Sequence, residues 1–219
     1  MTGGSTTLSL EQYRRLAVVL HEEQVDKQLK TVMITSALPQ EGKTLTLVNL
    51  ALTLSESYER RVLVIDADLR CPSMHMLLDI SNERGLSEAL RDNHQPLPFI
   101  SVSGRLSALT AGHPGPRPLA RLTSTQMAEV VTKAAAEFDW VLIDTPPVGV
   151  LPDAQVLARL AGAVIFVIRA GSTPAAAVQR AIGELGPDSI IGTVLNHVDE
   201  RCVPEAGYYS HYGTATHRR

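Results

Sequence analysis

Short runs of β-branched and aliphatic residues alternate along this chain with segments whose apolar positions recur at helical spacing. The run over 32–36 leads into a small-residue turn. Leu47, Leu50, Ala51 and Leu54 then recur as on one face of a helix. Further runs predict strands over 61–66, 140–144, 163–168 and 190–195, the third-from-last stopped by Pro146 and Pro147, which cannot continue a ladder. Continuous apolar runs, as opposed to alternating ones, mark strands buried on both faces. Between them the pattern predicts helices over 9–24, 73–78, 85–91, 124–137, 152–160 and 173–185. The first is signalled by a capping box, Ser9 with Gln12, and by Leu10, Tyr13, Leu16, Ala17 and Leu20 on one face, while residues 1–8 read as frayed. Residues 92–118 hold much of the proline and several glycines and read as irregular, with short strands near 99–102 and 106–110. Strands alternating with helices predict an α/β fold with a mostly parallel sheet covered on both faces.

Ligands of such sheets bind at the carboxyl ends of the strands, and three strands here end there in Ser36, Asp66 and Asp144. Strand, turn and a helix opening on Gly42-Lys43-Thr44 form the context of a phosphate-binding loop. Backbone N–H groups around Gln40, Glu41, Gly42 and Leu45 and at the helix start converge on an anion, which the helix dipole also favours. Lys43 adds a full positive charge near the β- and γ-phosphates, and the Thr44 hydroxyl can ligate Mg²⁺. The strict form of the loop asks for glycine at position 37, which is Ala37. Acidic groups beside a nucleotide repel it unless a cation is present. Mg²⁺ held by Thr44, Asp66 and Asp144 answers that, and Asp68, two residues past Asp66, would face the γ-phosphate or an incoming acceptor if the strand continues.

Composition narrows the classes. The 219 residues, 44% apolar and 20% charged, suit a globular α/β domain, and a formal net charge of −3 argues against a nucleic-acid binder. No apolar run is long enough to span a bilayer, and the start of the chain lacks a secretory pattern. Cys71 and Cys202 have no metal-ligand spacing and fit reduced thiols of a cytoplasmic protein. The last twelve residues hold three of the five tyrosines, Tyr208, Tyr209 and Tyr212. The expected organisation is one domain over 1–207 and a flexible tail over 208–219.

These motifs resemble those of the bacterial tyrosine kinases, autokinases of capsule and exopolysaccharide systems on a MinD/ParA-like, three-layer P-loop NTPase fold. Residues 36–44 match the family's Ser-x-x-Pro-x-x-Gly-Lys-Thr loop, 62–70 its Asp-x-Asp-x-Arg motif and 141–147 its Asp-x-Pro-Pro motif. Leu38 stands where MinD/ParA relatives carry a signature lysine, which favours the kinase branch. The resemblance implies ATP and Mg²⁺ as cofactors, adenine contact at Asn196, and transfer to the tail tyrosines of a neighbouring subunit. The phenol pKa of about 10 leaves roughly one tyrosine in a thousand ionised at neutral pH, so a carboxylate base is needed. Asp66 and Asp68 are both candidates, with Lys43 neutralising the transferring phosphoryl group. The resemblance also implies a homo-oligomer using the N-terminal Glu-x-x-Arg-x-x-Arg motif, of which Glu11 and Arg14 match and the last position is Ala17. It further implies an activating membrane chain-length regulator of the polysaccharide co-polymerase type, a cognate tyrosine phosphatase, and a place at the inner face of the plasma membrane through that partner. A MinD/ParA-like ATPase that positions cargo, and a nucleotide-binding regulator without transfer, are the alternatives.

Overall fold

The computed structural model describes residues 3–91 and 96–199. Six parallel strands, β1 (Thr31–Ser36), β2 (Val62–Asp66), β4 (Leu106–Leu109), β5 (Trp140–Asp144), β6 (Ala163–Arg169) and β7 (Ile190–Asn196), form one sheet with a two-residue antiparallel edge strand, β3 (Ile100–Ser101). The strand order is β3-β4-β2-β5-β1-β6-β7. The chain leaves β1 towards β2 on one side and later fills β6 on the other, so the carboxyl ends of β1, β5 and β2 open on the crevice where α/β sheets bind ligands.

Side chains alternate across a strand, and that period-2 rule sorts the core into two faces. Val62, Val64 and Leu142 pack against Leu47, Leu50 and Leu54 of α2 (Lys43–Ser57), with Ala17 and Leu20 of α1 (Gly3–Lys27) behind. Leu63, Ile65, Val141 and Ile143 meet Met127, Val130 and Val131 of α6 (Thr125–Glu137) and Leu157 of α7 (Asp153–Ala158) on the opposite face. Each fully buried leucine of α2 contributes about 1.5–3 kcal/mol relative to exposure. The same alternation places Asp66 in phase with Val62 and Val64, and Asp144 in phase with Trp140 and Leu142. Both carboxylates are thereby delivered to the α2 face, beneath the start of that helix. Asp66 and Asp144 are also direct register partners of adjacent parallel strands, whose spacing is about 4.8 Å.

The remaining helices are α3 (Met74–Leu78), α4 (Leu86–Ala89), α5 (Pro118–Leu122) and α8 (Ala175–Leu185). Two differ from the pattern. The first helix starts at Gly3 and runs to Lys27, through the expected cap at Ser9 and into residues read as frayed. A cap preference is worth about 1 kcal/mol, and extending an existing helix costs little once Tyr13, Leu16, Ala17 and Leu20 are packed. Leu10, expected on the buried face, is 42% exposed. The second is α5, which begins with proline in its first turn, a position where the missing N–H costs nothing. Among the described residues no helix is long and apolar enough to cross a membrane.

Candidate active site

Between β1 and α2 the chain makes a tight loop whose last residue, Gly42, has φ 91°. A β-carbon there would stand 2.0 Å from the Asn196 amide nitrogen. The positive φ favours glycine, and a β-carbon would have to displace the Asn196 amide from the Glu41 carbonyl. Gly42→Ala is therefore expected to weaken Mg²⁺–ADP binding at least tenfold, read by calorimetry, with a folded far-ultraviolet dichroism spectrum retained; unchanged affinity would contradict the close approach. Gln40, exposed, also sits in the left-handed region at φ 62°. Ala37, which replaces the first glycine of the strict loop, is buried against Val148, Ala154, Phe166 and Ala181. Its methyl group fills a small apolar cluster, and its carbonyl accepts the Gly149 N–H at 3.1 Å. The departure is thus absorbed by packing.

The charged centre lies where α2 begins. The Lys43 ammonium, 12% exposed, stands 3.5 Å from Asp68 Oδ2 and 3.6 Å from Asp144 Oδ1. It donates to Thr44 Oγ1 at 3.2 Å, and the Thr44 hydroxyl donates to Asp144 Oδ2 at 2.7 Å. The Ser73 hydroxyl reaches Thr44 Oγ1 at 3.5 Å. Leu45, on the first turn of α2, is exposed. Sequence reasoning grouped Lys43, Thr44, Asp66, Asp68 and Asp144, and the fold brings all five together.

The three aspartates differ in surroundings. Asp66 is fully buried; its Oδ1 accepts the Asp68 N–H at 3.1 Å and its Oδ2 the Met74 N–H at 3.2 Å. Desolvation, followed by the charge of Asp144, pushes its carboxyl up to about 8, against the pull of the Met74 N–H. Asp144 is also raised by desolvation, to about 6, with Lys43 and the Thr44 hydroxyl holding it down. In both the direction is upward first because burial penalises the charged form, and then because a neighbouring carboxylate repels it, Asp144 beside Asp66 and Asp68 beside Asp144. The strand stops at Asp66, so Asp68 reaches the site through a turn and not through strand alternation. Its Oδ1 accepts the Cys71 N–H at 3.0 Å, and it is 5% exposed.

These residues fit a divalent cation. Asp144 Oδ1 is buried without a hydrogen-bond partner, beside the Thr44 hydroxyl and two further carboxylates. Among the described residues no three His, Cys, Asp or Glu side chains form a metal cage. Mg²⁺ does not need one, because it binds through one or two protein oxygens with waters and substrate phosphates.

Asn196, at the end of β7, lies against the loop, its amide donating to the Glu41 carbonyl at 2.9 Å. Glu11 and Arg14 form an ion pair with each other on α1, and the Arg14 carbonyl accepts the Tyr58 hydroxyl at 3.4 Å. Tyr208, Tyr209 and Tyr212 lie outside the described residues. Two features were missed. Arg70, read only as part of a motif, makes a bidentate pair with buried Asp153 at 2.8 and 3.3 Å, tying the turn after β2 to α7. The Glu41 carboxylate is turned into the protein, where it accepts the Leu38 N–H at 2.8 Å and the Thr173 hydroxyl. The signal for the second was an acidic residue inside a loop built for anions.

No protein-family model matches the chain. It is 35% identical over 207 residues to tyrosine-protein kinase YwqD of Bacillus subtilis (strain 168), covering 93% of this chain and 87% of that one. It is 33% identical over 204 residues to the tyrosine-protein kinase Etk of Escherichia coli (strain K12), covering 91% of this chain but 28% of that longer protein. The solved kinase domain of Etk superposes with a TM-score of 0.81 at 34% identity, over 86% of this chain and 75% of that domain. A MinD structure from Pyrococcus horikoshii shares the fold, with a TM-score of 0.64 at 19% identity over 82% of this chain and 76% of that one. With that identity to YwqD along nearly its whole length, and with the loop lysine, threonine and three aspartates gathered at one sheet edge, the chain belongs to the bacterial tyrosine kinase family.

Proposed function

We propose that this chain is an ATP-dependent protein-tyrosine autokinase of exopolysaccharide or capsule synthesis, which phosphorylates Tyr208, Tyr209 and Tyr212 on a neighbouring copy. The observation that carries the reading is the Lys43 ammonium standing between Thr44, Asp68 and Asp144 at the carboxyl edge of the sheet. ATP would supply the phosphoryl group, and a bound Mg²⁺ would neutralise part of its charge. Lys43 stabilises charge on the phosphoryl oxygens, and the N–H groups of the loop from Gln40 to Leu45 orient them. Thr44 and Asp144 would hold the cation. The tyrosine oxygen bonds to the γ-phosphorus as the bond to ADP breaks, and the phenolic proton passes to a carboxylate.

That carboxylate is Asp68. Both oxygens of Asp66 are engaged by backbone N–H groups, and none of its surface is exposed. Asp68 lies next to Lys43 and retains an edge towards solvent, from which an incoming phenol arrives. Asp66 then holds the turn over 67–74 in place, and contributes to the cation site by its charge. Asn196 serves the adenine side. Glu11 and Arg14 serve contact between copies. The activating partner is a membrane chain-length regulator, which keeps the kinase at the inner face of the plasma membrane, and a cognate tyrosine phosphatase reverses the modification.

Incubating the full chain with Mg²⁺, ATP and an activator peptide, then mapping phosphotyrosine, tests this. Label is expected on Tyr208, Tyr209 or Tyr212 and absent from a chain ending at Gly207. ATP turnover without phosphotyrosine, unchanged by removal of the tail, would replace the autokinase with a MinD-like ATPase.

A further inference from the structure

An acidic residue immediately before Gly42-Lys43 is electrostatically wrong for a loop that binds a triphosphate. Its burial, with 2% of its surface exposed, shows that the charge is not offered to the ligand. The Glu41 side chain accepts the Leu38 N–H through Oε2 at 2.8 Å and the Thr173 hydroxyl through Oε1. Thr173 is fixed in turn, accepting the Arg169 N–H at 3.1 Å at the end of β6. The backbone carbonyl of the same glutamate accepts the Asn196 amide at 2.9 Å, and the Asn196 carbonyl accepts the Ala170 N–H at 2.8 Å. One residue therefore joins three pieces: the phosphate loop, the turn between β6 and α8, and the end of β7.

Resting on the nucleotide-binding part of the reading above, we propose that Glu41 is a positioning residue that braces the phosphate loop against Thr173. Its side chain sets the distance between the phosphate-binding and base-binding sides of the site without itself touching the nucleotide. The chemistry required at position 41 is two acceptors facing two donors. Glutamine satisfies most of it, because its carbonyl takes the Leu38 N–H while its amide donates to Thr173, whose hydroxyl has a second lone pair. Alanine satisfies none of it and leaves a part-buried N–H without its partner.

The test measures the affinity of the full chain for Mg²⁺–ADP, which cannot transfer a phosphoryl group and so reports on the brace alone. Glu41→Ala is expected to raise the dissociation constant about 10- to 100-fold and Thr173→Val about 3- to 10-fold. The double variant should be no weaker than Glu41→Ala, since the Glu41–Thr173 contact that Thr173→Val removes is already lost in it. Glu41→Gln should lie within threefold of the parent. In the kinase assay Glu41→Ala should raise KM for ATP with kcat within about threefold, the mark of uniform binding lost. Affinity within twofold of the parent for Glu41→Ala, additive losses in the double variant, or a glutamine variant as weak as alanine would each overturn the proposal. Should the alanine variant not fold, an unaltered Thr173→Val does the same. Absence of phosphotyrosine with these ADP affinities intact defeats the autokinase reading and leaves the brace standing.

Discussion

Replacing Lys43 with methionine eliminates tail phosphotyrosine, with labelling at least 10²–10³-fold below the parent chain, the usual cost of one pre-placed donor at a developing negative charge. The expectation follows from where the ammonium sits. At 12% exposure it is held by Thr44, Asp68 and Asp144, so its position is fixed before any nucleotide arrives and costs no reorganisation during transfer. Methionine keeps the length and the apolar stem and removes only the charge and the donors. It leaves Asp66, Asp68 and Asp144 facing one another without that cation, so a triphosphate meets a more negative crevice and binds more weakly as well. Single-turnover labelling with ³²P separates the two losses, because saturating ATP restores binding but not the rate. Labelling within tenfold of the parent at saturation would show that the lysine does not act on the phosphoryl group.

How much of this was legible in the sequence follows from which interactions are local. β5 was read residue for residue, and β2 to within one residue, because an unbroken apolar run admits few alternatives. β6 extends one residue beyond its run because Arg169 pairs with Asn196 on the neighbouring strand, which no local pattern reports. The site's members were legible because strand ends and the loop identify them individually. Their different surroundings were not. Asp66 and Asp68 are two positions apart and chemically identical, and only the fold shows one closed off by two backbone N–H groups and the other beside Lys43. Likewise Arg70 and Asp153 are 83 residues apart, and Glu41 and Thr173 132 apart. Pairings at such separations are made by topology, after the local preferences have been spent.

Topology also imposes a cost that can be measured. The register places Asp66 directly beside Asp144 in the water-excluded centre of the sheet edge, and both carboxyls are raised, to about 8 and about 6. Below pH of about 4 folded and unfolded chains both hold these protons. As pH rises, the unfolded chain releases them near its ordinary carboxyl value while the folded chain keeps them, so the folded state binds more protons and stability falls with pH. In metal-free buffer the chain should therefore lose stability from about pH 4 up to about pH 8, the upper limit being set by Asp66. Asp144→Asn removes one of the two charges. The asparagine oxygen can still accept the Thr44 hydroxyl, and its amide nitrogen replaces Oδ1, which makes no hydrogen bond; the 3.6 Å ion pair with Lys43 is given up, and the gain from removing a desolvated charge has to exceed that loss. At pH 8 without metal the variant should be more stable than the parent by about 1–3 kcal/mol, with the difference vanishing near pH 4. Urea unfolding in EDTA across that range measures it. Mg²⁺–ATP should recover the parent's stability at pH 8 far more than the variant's, and the variant should form no phosphotyrosine. Parallel pH profiles for the two proteins, or a variant less stable at pH 8, would mean that the ionised Asp144 carboxylate is not disfavoured in the fold. If the expected outcomes are met, the stability withheld at this pair would favour a cation there, because a bound divalent ion would offset both the burial and the repulsion of the two carboxylates.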